Sequence, residues 1–250
     1  MTKCNLKYEK QAYWDERYKT EEVYDWFKSY SDFKHFIKPL VNVHDRILML
    51  GCGNSPFSYH MYEDGFTNIT NVDYSPICIE SMSNRYKHCI DMKWIVMDIR
   101  QLHFKDGEFD AVIEKGTIDA MLVGQKDPWH LSDENYKCMD TILSHVSRVL
   151  SPSGKFISLT FAQPHFRKEL YCRSKFGWNI ETCPLNNGGG CIEYFMYVMV
   201  KNKQLSESDK QKEMEYLEKR QKWNEPHNNA VSLTYDQLYD EDFLLKMSLC

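Results

Sequence analysis

Residues 46–50, from Arg46 to Leu50, make a short apolar run that stops at Gly51, as a strand buried on both faces does. Such a strand belongs to a parallel sheet, and parallel neighbours need crossover connections long enough to hold a helix. The chain downstream provides them. The apolar spacing predicts a helix over 56–64, a strand over 69–72, a helix over 76–86 and a strand over 94–97. A loop containing Asp106 and Gly107 leads to a strand over 109–113. A long helix follows from the cap Ser132 to Leu150, with Tyr136, Met139, Leu143, Val146 and Leu150 as its apolar stripe and Gly154 just past its end. Residues 155–161 read as the next strand. Strand and helix alternating at this interval specify a doubly wound α/β sheet with helices on both faces. The pattern then changes. Strands over 178–183 and 192–200 are separated by Asn186-Asn187-Gly188-Gly189-Gly190, which is too short for a crossover helix, so an antiparallel hairpin is expected.

Upstream of this region lie two helical patterns, over 8–19 and 24–37, the second placing Trp26, Phe27, Tyr30, Phe33 and Phe36 at three- and four-residue steps before Pro39 ends it. Residues 1–40 are therefore expected to form a helical cap, 41–200 the α/β domain, and 201–250 a charged extension. Within that extension, 201–230 read as a solvated helix or partly disordered segment, and the last fifteen residues as a peptide that docks back. A length of 250 residues suits one larger domain. The net charge of −5 excludes a broadly basic nucleic-acid-coating protein, so no direct nucleic-acid partner is expected. The longest apolar run, 194–200, is far short of the roughly 20 residues of a membrane helix, and residues 1–12 carry no secretory pattern. Nine cysteines without a CxxC or paired Cys/His spacing argue for reduced thiols and against a structural metal. The expectation is a cytoplasmic monomer that binds neither membrane nor metal.

Chemistry concentrates where predicted strands end. Gly51 and Gly53, in Leu50-Gly51-Cys52-Gly53-Asn54-Ser55, let backbone approach a ligand closely, and the following helix offers free N–H groups. Asp73 closes the second strand 22 residues after Gly51, the spacing at which a carboxylate meets both hydroxyls of a ribose. Pro56 stands where a pyrophosphate binder has its third glycine, and no GxxxxGK[ST] occurs. An adenosine ligand without a pyrophosphate fits better. Asp98, at the end of the third strand, suits the adenine exocyclic amine, with the Ile99 backbone N–H beside it.

In this order, glycine loop, acid after strand two, acid after strand three and closing hairpin, the segments resemble the class I methyltransferases, whose sheet is Rossmann-like with seven strands and whose methyl donor is S-adenosylmethionine. The resemblance spans roughly residues 40 to 200. One departure is Met49, where an acidic residue is common. A narrower likeness rests on Glu114-Lys115-Gly116-Thr117-Ile118-Asp119-Ala120, Tyr13-Trp14-Asp15-Glu16-Arg17-Tyr18, Tyr24-Asp25-Trp26-Phe27, Asp127-Pro128-Trp129 and Pro164-His165-Phe166-Arg167. These look like the signature of a methyltransferase-like group that modifies lysines of translation elongation factor 1-alpha and, in one relative, citrate synthase. That resemblance implies a donor touched by Trp14, Tyr18, Trp26, Gly51, Asp73, Tyr74, Asp98, Ile99 and Lys115. It also implies a protein substrate, with S-adenosyl-L-homocysteine as the product.

The residues support parts of this independently. Trp14 and Tyr18, four apart, share a helix face, and a sulfonium near aromatic faces gains roughly 0.5 to 2 kcal/mol. No Asn/Asp-Pro-Pro-Tyr segment follows the fourth strand, which argues against exocyclic-amine nucleic-acid methylation. Lysine is only about 0.1 per cent neutral near pH 7.4, and neutralising it costs about 4 kcal/mol. Glu114 and Asp119 flank the expected transfer position, and one of them is expected to bind the ammonium or take its proton. His130, His145 and His165 read as surface or packing residues. The core motifs alone allow a small-molecule methyltransferase equally well, and a donor-binding scaffold without activity is a third reading.

Overall fold

Seven strands form one sheet in the order β3-β2-β1-β4-β5-β7-β6 in a computed structural model that describes residues 5–125, 127, 130–185 and 193–224. They are β1 (Ile47–Leu50), β2 (Ile69–Asp73), β3 (Lys93–Val96), β4 (Phe109–Lys115), β5 (Leu150–Thr160), β6 (Trp178–Pro184) and β7 (Phe195–Lys201). Strands β1 to β5 are mutually parallel, and β7 is antiparallel to both β5 and β6. This is a seven-strand Rossmann-like sheet, with the order reversing between β1 and β4. In open α/β sheets, the crevice beyond the carboxyl ends at such a reversal is where ligands bind.

Among the described residues eight α-helices accompany the sheet: α1 (Gln11–Thr20), α2 (Tyr30–Ile37), α3 (Phe57–Glu63), α4 (Pro76–Arg85), α5 (Thr117–Met121), α6 (Asp133–Val149), α7 (Pro164–Tyr171) and α8 (Glu207–Asn224). Alternation along the central strands divides the core. Ile47, Met49, Ile69, Ile113 and Ile157 face α2, α3 and α4, whereas Leu48, Leu50, Val72, Val112 and Phe156 face α6 and α7. Neither face of the middle strands sees water, which is why the run from Ile47 to Leu50 carries no polar residue.

Several expectations change. The helix expected over 24–37 exists only as α2. Lys115 Nζ takes the Trp26 carbonyl at 2.6 Å, Phe27 sits at φ +69°, and the capping box of Ser29 and Asp32 starts the helix afresh at Tyr30. Trp26 and Phe27 are thus on a connecting bend. Gly154 lies within β5 rather than capping α6, because the chain leaves the helix at Leu150 with ψ 132° and enters the strand directly. Asp98 lies two residues beyond β3. Two short helices, α5 and α7, were not foreseen. The solvated segment after β7 is helical over α8, which buries Asp209 and Tyr216. The turn 186–190, Pro128 and Trp129, and the terminal peptide lie outside the described residues.

Candidate active site

The parallel strands end at one edge, where the loop 51–55, residues 73–75, residues 97–100, the β4–α5 corner and Thr160 converge. Gly51 and Gly53 both adopt left-handed conformations, φ +59° and +53°, which L side chains adopt only under strain. Space is short as well, severely at Gly51 and by a few tenths of an ångström at Gly53. A Cβ on Gly51 would stand 2.4 Å from Thr117 Cγ2, and one on Gly53 would stand 3.2 Å from the Tyr18 hydroxyl. Thr117 Oγ1 donates to the carbonyls of Leu50 (3.0 Å) and Gly51 (3.2 Å), so the loop is pinned to the β4–α5 corner.

Asp73 is 4% exposed, and its two oxygens accept from Gly53 N and Ser75 N, each at 3.0 Å. Burial pushes its carboxyl up to about 6, against those amide bonds that favour the charged form. Each oxygen has a further acceptor position, so the carboxylate fits a diol arriving from the cleft. Cys52, Cys78 and Asp73 bring ligand-capable atoms within 4.8 Å of one another, a grouping that no cysteine spacing announces.

Helix α1 and the bend after it lie across these strand ends. Gln11 Nε2 donates to Tyr74 O at 2.9 Å, Ser75 Oγ donates to Asp15, and Asn54 Nδ2 donates to Glu21 O at 2.8 Å. Ser55 donates to Asp25, which also pairs with Lys115 Nζ at 3.1 Å. Burial lowers the Lys115 pKa, and its charge is spent on Asp25 and the Trp26 carbonyl. Trp14 and Tyr18 stack at 5.8 Å, Trp26 meets Trp14 edge-on at 6.0 Å, and the Trp14 indole N–H donates to Tyr8 O at 2.7 Å. The Arg17 guanidinium already lies over Trp14, Tyr24 and Trp26 at 5.7, 4.7 and 5.1 Å. Of this aromatic set, Tyr18 reaches the glycine loop.

Tyr74, just past the second strand, is half-buried, and Ile99, past the third, is buried in the core. Asp98 is held by Arg100, whose Nε lies 2.9 Å from each oxygen and whose Nη2 lies 2.6 Å from Oδ2. Partial burial raises the Asp98 carboxyl, and the Arg100 bonds more than offset this, leaving it below its usual value. A base amine must therefore share Asp98 with Arg100.

Glu114 and Asp119 come together through side chains from elsewhere. Glu114 is fully buried. Its Oε2 accepts from Thr117 N (3.1 Å) and Ile118 N (3.3 Å), and its Oε1 accepts from Ser158 Oγ, which also bonds the Tyr171 hydroxyl at 2.8 Å. Burial, reinforced by the charge of Asp119, drives the Glu114 carboxyl well above the ordinary range. Asp119 Oδ1 accepts from Thr160 Oγ1 (2.5 Å) and Arg167 Nη2 (2.7 Å). Ser158, Thr160, Tyr171, Asp15 and the pairing roles of Asp25 and Arg167 escaped sequence reasoning. The signal available was that Asp25 and Arg167 lie inside quoted signature segments.

A profile of the methyltransferase domain matches residues 42–222. The chain is 44% identical over 207 residues to the Mus musculus protein named EEF1A lysine methyltransferase 4, covering 82% of this chain and 80% of that one. It is 43% identical to the Bos taurus protein of the same name, over 81% of this chain and 79% of that one. A solved SAM-dependent methyltransferase from Methanosarcina mazei superposes with TM-score 0.50 at 17% identity, over 68% of this chain and 98% of that one, a likeness of fold.

Proposed function

This chain belongs to the S-adenosylmethionine-dependent methyltransferases, and from that premise we propose that it methylates the side-chain amine of a lysine in translation elongation factor 1-alpha, in the cytoplasm. The observation that carries the choice of acceptor is the 44% identity, over four-fifths of both chains, to a protein named for that activity. No helix among the described residues is long and apolar enough to cross a membrane.

When bound, S-adenosylmethionine supplies a methyl carbon whose bond to sulfur breaks, with the electron pair staying on sulfur, as the amine lone pair forms the new C–N bond. The chain's own residues do the rest. In this reading Gly51 and Gly53 bring backbone against the donor, and Asp73 accepts from the ribose hydroxyls. Tyr74, Ile99 and Asp98 line the base, with Arg100 yielding part of Asp98 to the exocyclic amine. Helix α1 and the bend after it act as a lid in which Tyr18 faces the glycine loop, Trp14 and Trp26 brace it, and Lys115 clamps the bend through Asp25. The acceptor arrives as an ammonium and must lose a proton before its nitrogen can attack. A buried carboxylate at the β4–α5 corner, Glu114 or Asp119, receives that ammonium in a setting drier than water, and the proton leaves through solvent.

Methylation with a radiolabelled donor in a cytosolic extract tests the reading. The expected result is label in one band of elongation-factor size, absent with Asp73→Ala. Label confined to small molecules would replace the acceptor class, and donor binding without any incorporation would remove the enzymatic reading.

A further inference from the structure

The geometry points to Arg167 as a positioning residue for the acceptor: it fixes Asp119 so that the second oxygen of Asp119 meets the incoming lysine ammonium, a part that Glu114 cannot take. This rests on the lysine-methylation reading above and decides between its two carboxylates.

Two of the signature segments, 48 residues apart, meet here. Residues 114–120 supply Asp119 at the start of α5, and 164–167 supply Arg167 in the first turn of α7. Both side chains are almost completely enclosed, Arg167 at 3% and Asp119 at 6% exposure. Asp119 Oδ1 is fully used, by Arg167 Nη2 at 2.7 Å and by Thr160 Oγ1, which Arg167 Nη2 also approaches at 3.3 Å. Asp119 Oδ2, Arg167 Nε and Arg167 Nη1 are buried with no hydrogen-bond partner among the described residues. A buried ion pair is favourable only when its leftover polar atoms are satisfied, and of these three Oδ2 is the acceptor that a donor from outside completes, whereas the two guanidinium N–H groups call for acceptors. The pair stands at the carboxyl end of β5 beside the β4–α5 corner that Thr117 pins to the glycine loop.

Glu114 lacks this property. Two backbone amides and the Ser158 hydroxyl occupy both of its oxygens, which leaves neither for an incoming donor. Its work is to close the first turn of α5 and hold the corner. Asp119 is the carboxylate with an oxygen to spare, and a guanidinium on the other oxygen keeps the group in one orientation. An ammonium at Oδ2 finds a fixed acceptor in a low-dielectric pocket, where a charge-assisted bond is strong.

The test uses the full chain, purified elongation factor 1-alpha, steady-state methylation and donor binding by calorimetry. Arg167→Gln is expected to lower kcat by about 100-fold, the cost of misplacing a reacting group by about 1 Å, with donor affinity unchanged. Arg167→Lys, which keeps the charge, is expected to recover part of the loss. In an Asp119→Asn background, Arg167→Gln should add nothing, because Arg167 acts through Asp119. Glu114→Gln should lower kcat less than Asp119→Asn does, in protein that binds donor, with its cost appearing mainly as lost stability. Additive losses in the double variant, donor affinity falling in step with kcat, or Glu114→Gln as harmful as Asp119→Asn would each overturn the assignment while leaving lysine methylation standing. A wild-type chain that binds donor yet labels no elongation factor 1-alpha would remove both.

Discussion

The two halves of the cleft are built by different means. On the donor half, between β1 and β3, the groups that would meet an adenosine are held by local backbone: Gly51 and Gly53 by their dihedral angles, and Asp73 by amides of Gly53 and Ser75. On the acceptor half, between β4 and α7, contacts between side chains of distant segments add to the local amides on Glu114: Glu114 to Ser158, Asp119 to Thr160, and Asp119 to Arg167. A donor that does not vary suits recognition by main chain, which substitution alters little. Thr117 is the seam, on the acceptor corner with its hydroxyl on the carbonyls of Leu50 and Gly51.

Breaking the seam should have the largest effect. Gly51→Ala strains a left-handed position and drives a methyl into Thr117, 2.4 Å from Cγ2. Strain of this kind costs about 1 to 3 kcal/mol, and overpacking costs a similar amount again. Thermal unfolding should show that loss, and calorimetry should show donor affinity lowered by more than about 100-fold. Wild-type affinity in this variant would mean the halves are not joined there. Glu114→Ala is next. It orphans two amides and the Ser158 hydroxyl in a closed space, at about 3 kcal/mol by denaturant titration. Because the damage belongs to the acceptor half, donor affinity in folded protein should stay near wild type. A matching fall in donor affinity would dissolve the distinction between the halves.

The same division explains what could be read from the chain in advance. Strand and helix periodicity from Arg46 onward, and the spacing from Gly51 to Asp73, are local signals, so the sheet and the donor half were legible. The helix expected through Trp26 failed because the carbonyl of that residue is taken by Lys115, 89 positions away. Helices α5 and α7, of five and eight residues, are too short for periodicity to announce. Arg167 and Asp119 were each visible inside a signature segment, but their pairing was not, since spacing along a chain says nothing about which buried charges meet. Asp98 was placed at the right edge, while its engagement with Arg100 became clear only from the fold.

Asp73 offers a sharper probe of the donor half through pH. Its folded pKa of about 6 exceeds the unfolded value of about 3.9, so the folded chain holds this proton more tightly. The resulting stability is fully present below about pH 4 and is lost as pH rises through 6. Donor binding should run the other way, since ribose hydroxyls need the ionised acceptor. Affinity should fall by about tenfold between pH 7 and pH 5, and Asp73→Asn should flatten both slopes. A donor affinity independent of pH in the wild type would detach Asp73 from the ribose.

The smallest expected effect tests whether α1 belongs to the donor half at all. Gln11 holds the start of that helix through one exposed hydrogen bond to the Tyr74 carbonyl, 2.9 Å long. A single bond of this sort contributes about 1 kcal/mol net, so Gln11→Ala should weaken donor binding by about fivefold and barely move the unfolding midpoint. Hydrogen exchange localises the change: amides of 11–20 should exchange faster, whereas those of β4, β5 and α7 should not. Helix α1 also carries Asp15 on Ser75 and Tyr18 on Gly53, both donor-half contacts, and neither α7 nor β5 depends on them. Faster exchange spreading into α7 would show that the lid spans both halves, and that donor entry and acceptor positioning are one coupled event rather than two.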